Sequence, residues 1–218
     1  MDGVERSRDR ILAIIQRDGS ANVAALSQQV GLAPATIRRH LDILQRNGLV
    51  SFTLVRKPTG RPEHRFSLTE NGHESMPKSY GMLLADLLKD IGTLAPSELE
   101  GKSGSEVLRE SFRRIGTRIG QQHAGTAEKV GALMAVLGER GFMPDVEEGP
   151  TGVRVLLTNC PFRSAAREDS RVCGIDAAII STVLDVPVRR VACINDGASC
   201  CTYVAEGALS GREGSPAR

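Results

Sequence analysis

The 218-residue sequence predicts an α+β protein in three parts: an N-terminal winged helix-turn-helix, a helical linker and dimerisation region, and a C-terminal α+β domain that holds the cysteines. Three features predict it. Gly31 and Pro34 separate two short amphipathic stretches between Ala21 and Leu44, the order of a helix, a tight turn and a second helix. Two alternating stretches then flank the basic turn Lys57-Pro58-Thr59-Gly60-Arg61-Pro62. All five cysteines, Cys160, Cys173, Cys193, Cys200 and Cys201, follow Asn159. The expected boundaries are 1–75, 76–140 and 141–207, with a Gly-, Ser- and Pro-rich tail at 208–218 expected to be disordered.

Arg8 to Arg17 places Ile11, Leu12, Ile14 and Ile15 on one helical stripe, and Asp18-Gly19-Ser20 supplies the stop. Ala21 to Val30 continues with Val23, Leu26 and Val30 at i, i+3 and i+7. Gly31 closes that helix, and Pro34 suits the first turn of the next, where a missing N–H is tolerated. In the second helix Ile37, Leu41 and Leu44 recur at i, i+4 and i+7 and face the core, which turns Ala35, Thr36, Arg39 and Arg46 outward with Arg38 and His40 on the flanks. Asn47-Gly48 ends it, and Leu49 to Val55 and His64 to Leu68 alternate as the strands of a hairpin wing.

Charge points the same way. The chain carries a formal net charge of +2, yet Leu32 to Phe66 holds seven Lys/Arg against two acids, a local basic block suited to a polyanion. On such a face an Arg can donate a bidentate pair to guanine and a Thr or Ala can touch a thymine methyl, while Arg38 on the flank suits phosphates and His40 is structural or phosphate-contacting. Lys57 and Arg61 sit at the wing tip, and Arg61 between Gly60 and Pro62 suits a narrow minor groove. The plain alternative for Arg38, Arg39 and Arg46 is a solvated helix face. Thr36-Ile37-Arg38-Arg39-His40-Leu41, then Leu44, Asn47-Gly48-Leu49-Val50, Gly60-Arg61-Pro62 and Phe66-Ser67-Leu68-Thr69-Glu70-Asn71-Gly72, resembles the winged-helix domain of ArsR- and DeoR-like bacterial regulators. That resemblance implies double-stranded operator DNA as the partner.

From Tyr80 to Gly141 the pattern is helical, with apolar stripes at Met82 to Leu88, Glu106 to Gln122 and Val130 to Leu137, and a loop from Gly92 to Gly104. Such helices beside a DNA-binding module serve either a homodimer matching a palindromic operator or packing within their own domain. Phe142 to Glu148 and Gly152 to Thr158 read as strands, Cys173 opens a helix through Leu184, and Val188 to Ile194 and Cys200 to Ala205 read as two more strands. Antiparallel hairpins with helices on one face are expected.

The apolar run Ile11 to Ile15 is too short for a leader or a spanning helix, so a cytoplasmic protein without a membrane partner is expected. In that compartment five thiols are metal ligands or redox groups rather than a disulfide framework. No CxxC pair is present, which disfavours a zinc knuckle, whereas iron–sulfur clusters accept widely spaced ligands. Cys200 and Cys201 are strand neighbours and point to opposite faces.

Asn159-Cys160-Pro161-Phe162, then Cys173, Asp176, Cys193, Gly197 and Cys200-Cys201-Thr202-Tyr203, resembles SufR-type repressors of iron–sulfur assembly genes. The resemblance implies a [4Fe-4S] cluster held by Cys160, Cys173 and Cys201, with [2Fe-2S] or zinc as alternatives. It leaves the fourth position open among Cys193, Cys200, a histidine, a carboxylate and an exogenous ligand; Cys193 and Cys200 also fit plain burial. It further implies a repressor whose operator affinity depends on that cluster. The alternative is a winged-helix regulator that senses a small organic ligand, with zinc or no metal at the cysteines. An enzyme is not expected, because the sequence offers no Ser/His/Asp set, phosphate-binding glycine loop or paired-carboxylate motif.

Overall fold

Apolar side chains at helical spacing build the first of two units, which ends at Lys78. The structure, a computed structural model, describes residues 2–56, 62–149 and 152–206. Helix α1 (Asp2–Asp18) buries Ile11, Leu12 and Ile15. Helix α2 (Val23–Val30) is capped by Asn22, whose side-chain oxygen accepts the Ala25 N–H at 2.7 Å, and buries Leu26 and Val30. Gly31 ends α2 at φ 77°, the left-handed conformation that favours glycine, and so sets the tight turn into α3 (Pro34–Arg46).

Strands β1 (Val50–Val55) and β2 (Glu63–Leu68) form an antiparallel hairpin in which Phe52 pairs with Phe66 and Leu54 with His64. Ala21 bridges to Phe66 by two backbone hydrogen bonds of 2.9 and 2.8 Å, which fastens the hairpin to the helices. A short helix, α4 (Glu70–Ser75), follows under a Thr69 cap. Three helices and a wing are therefore in place, as the sequence predicts. The wing-tip residues Lys57 and Arg61 and the tail 208–218 lie outside the described residues.

The second unit begins at Ser79. Its helices are α5 (Tyr80–Ile91), the short α6 (Pro96–Leu99), α7 (Gly104–Gln121), α8 (Lys129–Glu139), α9 (Arg163–Glu168) and α10 (Gly174–Leu184). Strands β3 (Pro144–Gly149), β4 (Gly152–Leu157), β5 (Val188–Ala192) and β6 (Cys201–Glu206) form one antiparallel sheet in the order β3-β4-β6-β5. Phe112, Ile115 and Ile119 of α7, Leu133 and Leu137 of α8, Ile175, Ile179 and Val183 of α10, and Val153, Val155, Leu157 and Tyr203 of the sheet share one hydrophobic core. The 76–140 stretch, expected as a linker of its own, thus contributes helices to the same core as the sheet, because their stripes find their apolar partners there.

Two contacts fix the scaffold around the cysteines. Helices α7 and α10 cross at Gly116 and Gly120, where an added Cβ would lie 2.7 Å from Ala178 Cβ and 2.7 Å from Thr182 Cβ respectively. Only a residue without a side chain lets the two backbones approach so closely. On the other side of α7, the buried carboxylate of Asp90 accepts both arms of Arg114, at 3.2 and 2.7 Å, and so locks α5 to α7.

Candidate functional site

The first unit presents the face expected to read DNA. Ala35, Arg38, Arg39 and Arg46 are exposed on α3 and Thr36 is half-buried. Ile37, Leu41 and Leu44 point into the core, as their spacing requires. His40 departs from the expectation. It is 6 % exposed, and its Nδ1 has no hydrogen-bond partner, so it does not stand on the flank as a phosphate contact. The reason is geometric: position 40 is three residues after Ile37 and four before Leu44, inside the buried stripe rather than beside it. Burial pulls its pKa below the ordinary 6.5, and the cations of Arg8 and Arg39 pull it further. Arg46 spends one donor on its own helix, Nε to the Asp42 carbonyl at 3.2 Å.

The second unit brings the cysteines together. Cys160 follows β4, Cys173 closes a single 3-10 turn (Ser170–Cys173) at the head of α10, Cys193 follows β5, and Cys201 opens β6. The sheet register sets Cys201 beside Leu157 and Tyr203 beside Val155. Cys160, Cys173, Cys193 and Cys201 line one cleft with Asp176, Asn159 and Asn195, walled by Phe142, Leu157 and Ile194. Asn159 donates to the Gly141 carbonyl at 2.6 Å and Asn195 to the Ala166 carbonyl at 2.7 Å, so both loops that carry thiols are pinned to the scaffold.

Within the cleft the sulfurs of Cys193 and Cys201 lie 4.0 Å apart, and the Ile194 N–H points at the Cys201 sulfur at 3.4 Å. Cys200 is absent from the cleft lining and contacts Thr202 Oγ1 at 3.5 Å, which follows from strand alternation. Cys193, which the sequence left between a fourth ligand and plain burial, lines the cleft with the other three, and Cys200 does not.

Asp176, in the first turn of α10, is 5 % exposed. Tyr203 donates its hydroxyl to Asp176 Oδ2 at 2.8 Å, whereas Oδ1 is buried with no partner. Burial pushes its pKa up to about 6, against the stabilising Tyr203 bond and Arg190. Burial, then the charge of Asp176, pushes the Cys173 thiol up to about 12; burial raises Cys201 as well, and the Ile194 N–H opposes it. The cleft is therefore a site where negative charge is costly, lined by five groups that become negative when they lose a proton.

Among the described residues, no three His, Cys, Asp or Glu side chains are arranged as a ready metal site. The donor set nonetheless suits a thiophilic metal in kind: four thiols and a buried carboxylate oxygen that lacks a partner. Among the described residues no helix is long and apolar enough to cross a membrane.

A family model described as winged helix-turn-helix DNA-binding matches residues 6–51, from α1 into β1. No curated protein and no solved structure matches the chain.

Proposed function

We propose that this winged-helix protein is a transcriptional repressor whose operator affinity depends on a [4Fe-4S] cluster held by Cys160, Cys173 and Cys201. The N-terminal winged helix-turn-helix supports a DNA-binding regulator. The cofactor rests on one observation: segments separated by up to 40 residues bring thiols to a single cleft that also receives the unpartnered oxygen of a buried Asp176. That oxygen, or the Cys193 sulfur in the same cleft, would be the donor for the fourth iron position. Such a group supplies redox sensitivity and lability to iron scarcity.

This chain's residues supply the coupling. Cys160 belongs to the segment after β4, Cys173 to the head of α10 and Cys201 to β6, so one group bound by all three ties three elements together. Releasing it frees those segments and changes how two copies are held on a palindromic operator. The partners are double-stranded DNA and a second copy of the chain.

One distance favours a second reading, a small-ligand regulator with zinc at the cysteines. Two thiolates on one tetrahedral zinc, each at ~2.3 Å, lie about 3.8 Å apart. The Cys193 and Cys201 sulfurs are 4.0 Å apart.

The deciding experiment is an absorbance spectrum with iron, sulfide and zinc contents on protein purified without oxygen, followed by gel-shift titration before and after chelation. Brown protein with matching iron and sulfide, and operator affinity that drops on chelation, is expected. Colourless protein with one zinc selects the second reading, and equal affinity of both forms overturns the coupling.

A further inference from the structure

Helix α5 is apolar on two sides. Leu83 and Leu87 pack against the core of the second unit, and Asp86 and Asp90 hold Arg140 and Arg114. On the far side Leu84, Leu88 and Ile91 are 57, 63 and 45 % exposed. A helix that packs once should show a polar outer face. This one shows a ridge of large apolar side chains beside a row of small ones, Gly81 and Ala85.

Gly81 adds a second observation. A Cβ added there would meet nothing within 4 Å, so the protomer's own packing does not require glycine. A ridge next to a small-residue groove is self-complementary: two such helices, antiparallel across a two-fold axis, set each ridge into the other's groove. Leu84 then faces Leu88 of the partner subunit.

We infer that α5 is the seam of a homodimer, occupied by α5 of a second copy of this chain. The exposed parts of the three ridge residues leave on the order of 300 Å² of apolar surface per protomer, about two-fifths of what each partner gives a standard stable interface. A patch of that size at the centre of an interface makes its dry core, with the flanking polar surface as rim. The stripe carries no charge, which suits an identical partner better than a charged one. The chain's own C-terminal stretch is a poor occupant, since residues 207–218 contain a single large apolar side chain, Leu209. The inference rests on the proposed regulator in one respect, that two winged helices are what a two-fold operator needs.

The test is sedimentation velocity on the full chain across a concentration series, for the wild type, Leu88→Glu and Gly81→Leu. The wild type is expected to be a dimer. Leu88→Glu places a charge on the seam and Gly81→Leu fills the groove, and each is expected to raise the dimer dissociation constant at least ~30-fold. Both positions are exposed, so circular dichroism and the melting temperature of the protomer are expected to hold. A wild-type dimer unaffected by either variant overturns the seam and leaves the dimeric regulator standing. A monomeric wild type overturns both the seam and the two-copy operator. Colourless protein that dimerises and loses its dimer in both variants supports the seam while the cofactor proposal fails.

Discussion

Gly116→Ala tests whether the α7–α10 crossing, and not the sheet alone, holds the cysteine cleft in shape. An added Cβ would sit 2.7 Å from Ala178 Cβ and closer still to the Ile175 carbonyl oxygen. Ordinary carbon contacts are ~3.5–4.0 Å, so the helices must part by about 1 Å, loosening the packing of Ile115 and Ile119 against Ile175 and Ile179. Overpacking a core costs about 1–3 kcal/mol, the upper end where the opposing atoms are backbone, and alanine returns up to ~1 kcal/mol of helix propensity. The net expectation is a loss of about 2 kcal/mol, or roughly 4–8 °C in the melting temperature of a unit this size. Gly138→Ala is the control, because a Cβ on that exposed position of α8 meets nothing within 4 Å. It should gain roughly 0.5–1 kcal/mol. The assay is chemical denaturation of the full chain with iron retention measured alongside, since Cys173 and Asp176 ride on the head of α10. If Gly116→Ala is as stable as the wild type, the close crossing is not what sets the position of α10.

Three further expectations concern single residues. Because burial and then Arg8 and Arg39 hold His40 below its ordinary 6.5, the folded chain keeps it neutral where the unfolded chain takes up a proton; stability is full above about pH 6.5 and falls as the pH drops below it. An NMR titration of the ring with a midpoint at or above 6.5 would refute this. Cys160→Ser, Cys173→Ser and Cys201→Ser are each expected to abolish the absorbance near ~400 nm of anaerobically reconstituted protein, whereas Cys200→Ser keeps it; full absorbance in Cys160→Ser overturns the ligand set. Arg39→Ala is expected to cost ~1–3 kcal/mol at one operator position, read by gel shift on a panel of base substitutions, and an equal loss on every sequence makes it a phosphate contact.

The winged-helix unit was legible because its punctuation is local. Gly31, Pro34 and Gly48 act within one turn of where they stand, and the wing strands declare themselves by alternation. His40, set on the flank as a structural or phosphate-contacting residue, takes the structural role: three residues after Ile37 and four before Leu44, it lies inside. The cleft was legible only in part. Cys160, Cys173, Cys193 and Cys201 all fall at element ends, but what carries the first two to the β5–β6 hairpin is the pairing of β4 with β6 and the packing of α10, which no local pattern encodes. Gly116 and Gly120, spaced i, i+4 on the buried stripe of an amphipathic helix, offered a sign of close helix contact in the sequence alone.

The strand order has a consequence for how the protein matures. The last strand to leave the ribosome, β6, occupies an interior place between β4 and β5. At ~5–20 residues per second, roughly 6–25 s separate the emergence of Lys78 from that of Glu206. During that interval the winged helix can fold on the nascent chain, while the sheet lacks its interior strand and Cys201 has yet to arrive. The part that grips DNA is thus born before the part proposed to govern it, and completion of the cysteine cleft is a late step in every round of synthesis.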